Sequence, residues 1–494
     1  LPARVERAPE ATNRSEFSSH AAFHTSLCVR LRHLVAGEMT TRRRFAVVGT
    51  GARATLYTHA LTGEFRDHCV LVALCDVNRA RLDYHNSLLA EPVPCYGPAA
   101  FEAMLRDQRV DTCIICSVDW THHEYVVRAL AAGCDALVEK PLCTTADGCR
   151  QILAAVAATG RRVTVGFNYR YSPRNSRVRQ LLRDDAIGDV LSVHFEWLLD
   201  TTHGADYFRR WHRDKASSGG MLVHKASHHF DLLNWWLDST PTRVYAVGRL
   251  GFYGEAAAAA RGEERRERFA LSMDDALRAL YGAAAVACDG YRRDQDVFGG
   301  GVTIEDDMAL IVEYASGATV TYHLTCYSPW EGLRAAFNGT RGRLEYEVAE
   351  NTCVAGAAAD PNLPHRPAAP RAAEAVRIAV HPHFEAPTEH AVDGSEAGHG
   401  GGDARMLRDL FLPSGDGATD PLGRAADHLA GVAAVSVGIA ANASLERGAP
   451  VVIAELLGAQ RAPWPWRRVV PVGAAIAAVA VAVVLRAARH SYFS

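Results

Sequence analysis

The stretch at residues 219–237, GGMLVHKASHHFDLLNWWL, places ionisable side chains inside a run that otherwise has the composition of a buried helix. At helical spacing, some of these side chains share one face. Burying such groups is costly unless they are paired or used in chemistry. The ionisable residues of the stretch are His224, Lys225, His228, His229 and Asp231.

Three interpretations compete for this stretch. His224 and His228 have the i,i+4 spacing of H-E-x-x-H, but Lys225 occupies the glutamate position, and its charge repels a metal. We therefore predict no metal site. A structural hydrogen-bond network is expected for His229. The third interpretation is proton transfer by His228, since histidine has a pKa suited to general base catalysis and Asp231 is spaced to orient its ring.

A second motif lies near the start of the chain. Phe45–Val48 is a short apolar run, and Gly49-Thr-Gly51-Ala-Arg-Ala54 follows it as G-x-G-x-x-A before a helical segment. Gly49 allows a tight turn, Gly51 lets the backbone approach a pyrophosphate, and Ala54 permits close packing of helix and strand. The helix N-terminus then offers N–H groups to phosphate. The motif predicts a dinucleotide site.

An acidic residue at the end of the next apolar run indicates which dinucleotide binds. Asp76 ends CVLVALCD, where a carboxylate accepts hydrogen bonds from ribose hydroxyls and disfavours a 2′-phosphate. NAD is therefore the predicted cofactor. Arg79 and Arg81 follow closely and leave NADP as an alternative.

Alternating strands and helices continue to about residue 165, which predicts an α/β N-terminal Rossmann domain with a doubly wound parallel sheet over 44–165. Strand-like runs such as VLSVHFEWLL and ATVTYHLTCY then dominate. They predict a substrate-binding α+β C-terminal domain with a large, mostly antiparallel sheet over 166–460. Residues 1–43 are expected to be a disordered or non-native extension, and 461–494 a tail.

Several segments of the second half stand out. An insertion rich in Ala and Arg lies between Glu255 and Gly300, and within it MDDALRALYGAAAVA is predicted to be a helix. Residues 355–398 are expected to form a loop. GHGGGD at 398–403 suits either a flexible turn or a close backbone approach to a ligand. A long packed helix is predicted to end near Gly448.

The ordered set VVGTGARA, CDVNRAR, SVDWTHHEYVVRALAAG, LVEKPL and GFNYRYSP resembles the Gfo/Idh/MocA family of NAD(P)-dependent oxidoreductases. The resemblance extends over roughly residues 44–457. It implies that Lys140 of E-K-P lies beside the nicotinamide and the substrate hydroxyl. It also implies that His228 of H-x-x-D, followed by Asp231, is the proton-transfer group, and that His122 lies near the cofactor. Glu139 is a further predicted cofactor-binding residue, since it ends a strand of the sheet.

The chain departs from the family at one informative position. Many members carry Asp four residues before the H-x-x-D histidine, whereas this chain has His224, followed by Lys225. Either His224 replaces the carboxylate in the proton relay, or Lys225 binds an acidic substrate. We predict substrate-binding roles for Arg170, His224 and Lys225.

Together these features predict a dehydrogenase or reductase acting on a secondary hydroxyl or ketone of a sugar, cyclitol or related polyol. One alternative is a redox-neutral NAD-dependent glycosidase or lyase of the same fold, and another is a non-catalytic, membrane-tethered NAD-binding protein. A net charge of −3 gives no sign of nucleic-acid binding. We expect a homo-oligomer that takes a small-molecule substrate.

The apolar segment 469–485 suggests a membrane anchor. It carries no charge, and as a helix it would span about 25 Å, near the lower limit for crossing a bilayer. Trp464, Trp466 and arginines flank it, as is usual at membrane interfaces. A buried Ala/Val helix is the alternative. Because no signal peptide is evident, we expect the catalytic domains in the cytoplasm, with the tail anchored or free.

Overall fold

The computed structural model describes residues 42–262, 266–351, 375–392, 399–413 and 420–458. The predicted extension over 1–43, apart from its last two residues, and the predicted membrane segment 469–485 lie outside these residues. Both stay predictions.

The first half of the chain forms a parallel sheet of six strands in the order β3-β2-β1-β4-β5-β6. Its inner strands are continuous apolar runs covered on both faces, as parallel sheets require. The doubly wound fold predicted for this half is confirmed. The strands are β1 Arg43–Val48, β2 Cys69–Cys75, β3 Cys95–Tyr96, β4 Thr112–Ile115, β5 Asp135–Val138 and β6 Val163–Val165.

The second half forms a nine-stranded sheet in the order β14-β13-β12-β11-β7-β10-β9-β8-β15. All its strand pairs are antiparallel except β7 with β10. The mostly antiparallel sheet predicted for this half is confirmed. Its strands are β7 Val190–Asp200, β8 Pro241–Arg249, β9 Asp307–Tyr314, β10 Thr319–Ser328, β11 Glu331–Gly339, β12 Gly342–Asn351, β13 Ala375–Pro382, β14 Thr388–Glu389 and β15 Val451–Val452.

Four strands of this sheet escaped prediction, namely β11, β13 and the two-residue strands β14 and β15. β11 reads EGLRAAFNG, whose glycines and alanines give little strand signal, yet it lies between β7 and β12. β13 lies inside the segment that we expected to be a loop, so that expectation is wrong for Ala375–Pro382, which pairs with β12 along its length.

Helices cover the parallel sheet and pack against the second sheet. They are α1 Ala54–Thr62, α2 Arg79–Ser87, α3 Phe101–Asp107, α4 His122–Ala131, α5 Ala146–Thr159, α6 Pro173–Arg183, α7 Thr201–Arg209, α8 Lys215–Ser218, α9 Met221–His224, α10 Ser227–Leu237, α11 Glu255–Arg261, α12 Asp275–Tyr281, α13 Ala283–Asp289, α14 Gly402–Phe411, α15 His428–Arg447 and α16 Ile453–Leu456. Short 3₁₀ turns lie at Pro98–Ala100, Asp119–Thr121, Asn168–Tyr171, Trp211–Arg213, Arg266–Phe269 and His399–Gly401.

The histidine-bearing stretch folds as two helices, α9 and α10, rather than one. Gly219 and Gly220 precede α9 with φ of 73° and 80°, a region that favours glycine. The helices are interrupted at Lys225 and Ala226. The side chains before and after this break therefore do not follow the single helical face that their spacing predicted.

The long helix predicted to end near Gly448 is α15, and Gly448 caps it in the left-handed conformation. By length and composition α15 is the one described helix apolar enough to cross a membrane, but most of its apolar window is buried within the protein. It packs on α10, α5 and β8, so it acts as a core helix of the protein.

Candidate active site

Lys140 lies at the carboxyl end of β5, where the E-K-P tripeptide leaves the parallel sheet. Its Nζ is 3.1 Å from Nε2 of His224 and donates to the backbone oxygen of the same residue at 3.3 Å. The Rossmann half and the helical stretch α9 thus meet at this amine.

The ring of His224 also contacts a carboxylate. Its Nδ1 is 2.5 Å from Oδ2 of Asp119, which follows β4. Both side chains are buried. A neutral imidazole with its proton on Nδ1 donates to Asp119 and leaves the Nε2 lone pair for Lys140. We call these three residues, Lys140, His224 and Asp119, the proton relay.

Burial disfavours charge throughout the proton relay. It lowers the pKa of Lys140 to about 8, a shift that Asp119 opposes and Lys225 reinforces. The pKa of His224 falls well below its ordinary value because of burial and the neighbouring cations, Lys140 first among them. Burial raises the pKa of Asp119, against the effect of Lys140 and Arg210. The amine can therefore exchange a proton near neutral pH.

His228, the residue predicted to transfer the proton, lies one turn away in a different environment. Its ring stacks on Tyr169 with centroids 4.3 Å apart, and it is 4% exposed. His224 contacts Lys140, which favours the option that His224 stands in for the family's carboxylate. The proton-transfer role of His228 stays a prediction.

Asp231 and Arg170 form a buried ion pair. Arg170 Nε and Nη2 donate to the two oxygens of Asp231 at 2.7 and 2.6 Å. Arg170 is 6% and Asp231 1% exposed. The pair fixes both side chains, and the predicted roles of Asp231 as the orienter of His228 and of Arg170 as a substrate ligand stay predictions.

Lys225 lies beside the proton relay and is 3% exposed. Its Nζ donates to the hydroxyl of Tyr169 at 3.3 Å and lies 5.0 Å from the Trp197 ring centroid. Burial lowers its pKa, although Glu331 and Glu350 oppose that shift. His229 bonds the Tyr322 hydroxyl at 2.8 Å and stacks on Trp197, which fits the structural role expected of it.

The Gly49–Ala54 loop has the form that a dinucleotide needs. Gly49 has a φ of 83°, and a Cβ there would lie 2.4 Å from the backbone nitrogen of Ser117. Asp76 Oδ2 accepts from the backbone N–H of Thr50 at 2.5 Å, and Oδ1 accepts from that of Asn78 at 2.8 Å. The loop is thereby fixed against β2, and its donors and the nearby carboxylate fit pyrophosphate and ribose.

The two arginines after Asp76 differ in what they contact. Arg81 is 8% exposed and pairs with Asp289 at 2.9 Å. Arg79 is exposed and pairs with Asp83. Arg81 is held by Asp289 and by the backbone oxygen of Leu280, and the Asp76 carboxylate favours NAD over NADP.

Glu139 and His122, two other predicted cofactor-binding residues, contact protein groups near the Gly49–Ala54 loop. Glu139 Oε1 accepts from Arg53 Nε at 2.6 Å and from the Tyr57 hydroxyl at 2.8 Å. The ring nitrogens of His122 face the backbone oxygens of Pro141 and Ser117 at 2.7 and 3.1 Å. His122 is 1% exposed and contacts the backbone next to Lys140, and its place near the cofactor stays a prediction.

One site residue, Tyr281, escaped prediction, and two others were noted by position but given no role. Asp119 directly follows a strand of the parallel sheet, where functional residues gather, and lies in the SVDWTHH motif. Asp403 of GHGGGD accepts from Arg53 at 3.1 Å and from Asn168 at 2.8 Å, so this segment approaches protein backbone and side chains. Tyr281, whose hydroxyl accepts from Ala52 N–H at 2.8 Å, gave no signal in the sequence.

The fold and this site define an NAD-binding oxidoreductase. Residues 43–167 match the oxidoreductase family's NAD-binding Rossmann fold, and 179–358 match its C-terminal alpha/beta domain. The chain belongs to the Gfo/Idh/MocA family. The predicted class, an NAD(P)-dependent dehydrogenase or reductase acting on CH–OH groups, is confirmed.

Individual relatives agree with this assignment. The chain is 35% identical over 425 residues to YteT of Bacillus subtilis (strain 168), named as an oxidoreductase, covering 81% of this chain and 94% of YteT. It is 34% identical over 197 residues to inositol 2-dehydrogenase of Paracoccus denitrificans (strain Pd 1222), covering 40% of this chain and 54% of that enzyme.

A solved structure shows the same fold at low identity. The WlbA dehydrogenase from Bordetella pertussis, in complex with NADH and UDP-GlcNAcA, has a TM-score of 0.54 and 16% identity, covering 83% of this chain and 98% of that one.

Breaking the Arg170–Asp231 pair should strongly lower the stability of the protein. Asp231→Ala leaves a guanidinium buried without its carboxylate, so we expect a loss of about 3–5 kcal/mol in the free energy of unfolding, measured by urea denaturation. The matched control is Asp83→Ala, which removes the exposed partner of Arg79 and should change little. Unchanged stability with lost turnover in Asp231→Ala would instead support its predicted catalytic role.

Proposed function

We propose that the protein is an NAD-dependent dehydrogenase or reductase that acts on a secondary hydroxyl or ketone of a sugar, cyclitol or related polyol. The observation that carries the proposal is the proton relay, whose amine lies at the end of β5 and contacts His224 at 3.1 Å. The end of β5 adjoins the carboxyl end of β4, which is also next to β1 and the Gly49–Ala54 loop. Ligands of open parallel sheets bind at this edge.

Each member of the proton relay has a distinct task in this proposal. When bound, the nicotinamide supplies hydride transfer at the substrate carbon. The neutral amine of Lys140 accepts the proton of the substrate hydroxyl. His224 Nε2 orients the amine by accepting its hydrogen bond, Asp119 fixes the ring through Nδ1, and the ammonium returns the proton to solvent. In the reverse direction the ammonium donates to the ketone oxygen.

The side chains around the relay support a polyhydroxylated substrate. Tyr207 and its hydrogen-bonded neighbour His203 lie near His224, with 5.4 Å between the Tyr207 and His224 centroids. His203 also contacts Glu331 at 2.7 Å. Such a set offers both hydrogen-bond partners and ring faces for hydroxylated rings. The relatives named inositol 2-dehydrogenase support the same substrate class.

Turnover should separate the dehydrogenase from its redox-neutral alternative. With NAD and a panel of polyols, aldoses and sugar acids, we expect net NADH to accumulate at a rate proportional to enzyme. Lys140→Met should retain NAD binding and lose most activity, roughly 100-fold or more, because no base remains. Substrate conversion with a constant NADH level would overturn the proposal in favour of the redox-neutral route.

The proton relay predicts the pH dependence of oxidation. Oxidation needs the neutral amine, so kcat/KM should rise with pH through a midpoint at about 8, the pKa of Lys140. Reduction needs the ammonium and should fall over the same range. Initial rates measured from about pH 6 to about pH 10, roughly two units either side of that pKa, give the midpoint.

Two variants should move this midpoint in opposite directions. Lys225→Met removes a cation that lowers the pKa of Lys140, so the midpoint should shift upward. Asp119→Asn removes a carboxylate that raises the same pKa, so the midpoint should shift downward. Midpoints that coincide in all three enzymes would contradict the assignment of the titration to Lys140.

The buried charge of Lys225 also predicts a preference for anionic substrates. Its ammonium is buried, and the nearby carboxylates Glu331 and Glu350 each have a cationic or histidine partner in His203 and Arg174. We expect Lys225→Met to lower kcat/KM for the best sugar acid by about 30-fold or more. The matched neutral polyol serves as the control and should change far less. An equal loss on both substrates would contradict a charge-specific role.

A further inference from the structure

The insertion between β8 and β9 reaches back to the nucleotide-binding domain. Its helices α12 and α13 pack against α2, and Leu277, Leu280 and Tyr281 form a small buried cluster with Ala52. We define residues 274–293 as the clamp segment.

Polar contacts fix the clamp segment at the carboxyl end of β2. Asn78 Nδ2 donates to the backbone oxygen of Ala285 at 2.8 Å, and Arg81 Nε donates to that of Leu280 at 3.2 Å. Arg81 also pairs with Asp289 at 2.9 Å. Asn78 is 0% and Arg81 8% exposed, so these contacts are shielded from water and strengthened accordingly.

Tyr281 joins the clamp segment to the Gly49–Ala54 loop. Its hydroxyl accepts from the backbone N–H of Ala52 at 2.8 Å, and a Cβ on Gly51 would lie 3.1 Å from the same oxygen. Ala52 directly follows the second glycine of G-x-G-x-x-A, where the backbone approaches a pyrophosphate. A phenol can accept one hydrogen bond and donate another, so this hydroxyl still has a proton to give.

Buried cations surround the same tyrosine. The guanidinium of Arg293 lies 4.6 Å from the Tyr281 ring centroid, and that of Arg81 lies 5.3 Å away. Arg293 and Arg210 also share the carboxylate of Asp206, at 3.9 and 2.9 Å. Arg209 contacts the same carboxylate at 3.4 Å, so three guanidinium groups surround Asp206, and this cationic cluster near Tyr281 favours an anionic ligand.

We propose that the clamp segment is a second half of the dinucleotide site and that Tyr281 binds a pyrophosphate oxygen. The hydroxyl, held by the Ala52 N–H, donates a hydrogen bond to a phosphate oxygen, while the Arg293 guanidinium packs on the phenol ring and adds positive charge. The clamp segment thereby slows the release of NAD and NADH. This proposal rests on the NAD-binding assignment and is independent of the substrate.

Cofactor binding by the full chain tests the clamp. NADH binding is followed by energy transfer from tryptophan, and release by stopped-flow displacement with excess NAD. Because a hydrogen bond to a charged group is lost, Tyr281→Phe should raise the Kd for NADH about 10-fold, mainly through faster release. Tyr245→Phe is the matched control, since Tyr245 lies on β8, outside the clamp segment, and is 38% exposed.

Binding of cofactor fragments shows which part of the cofactor Tyr281 contacts. The effect of Tyr281→Phe should persist with ADP, which retains a pyrophosphate, and vanish with adenosine. Unchanged Kd values for NADH and ADP would overturn the proposal, and so would tighter binding, which would mean that Tyr281 competes with the phosphate. If the wild-type chain bound no NADH, the NAD-dependent function itself would fail, a result distinct from a normal Kd in Tyr281→Phe.

Discussion

The contact between Lys140 and His224 is the interaction on which the site depends. It joins the end of a Rossmann strand to a short helix of the second half, and Asp119 fixes the histidine from the next strand. An amine in water stays protonated at neutral pH, so it cannot serve as a base there. Enclosure between the two halves of the chain lowers its pKa to about 8 and makes it useful.

Much of the fold could be predicted from sequence because its strands are apolar runs bounded by turn residues. The parallel half was the easier, since each of its strands except the two-residue β3 is an apolar run next to a recognisable helix or motif. β11 and β13 were missed for physical reasons. Their weak patterns are compatible with a sheet only because β7 and β12 supply hydrogen-bond partners, and a single sequence does not reveal such partners.

The site was predicted in part. Lys140 was found through its tripeptide, and His224 was noted as a departure from the family. Its contact with Lys140 could not be foreseen, because spacing assumed one continuous helix through Lys225 and Ala226. The break there separates the orientation of His224 from that of His228. Similarly, Asp231 lies at a plausible spacing from His228, but Arg170 reaches it from 61 residues earlier in the chain.

The segment around Asp403 has a consequence for biosynthesis. Asp403 contacts Arg53 in the nucleotide loop, and Gly402 lies so close to Asn168 that a Cβ would be 2.4 Å from its backbone oxygen. Farther along the chain, Ala426 accepts from Val165 N–H at 2.9 Å, which extends the edge of the first sheet. On the ribosome, the Rossmann half therefore emerges without these stabilising contacts. These contacts form only after residues 402–426 have been translated, so the final structure of the Rossmann half is completed late in synthesis.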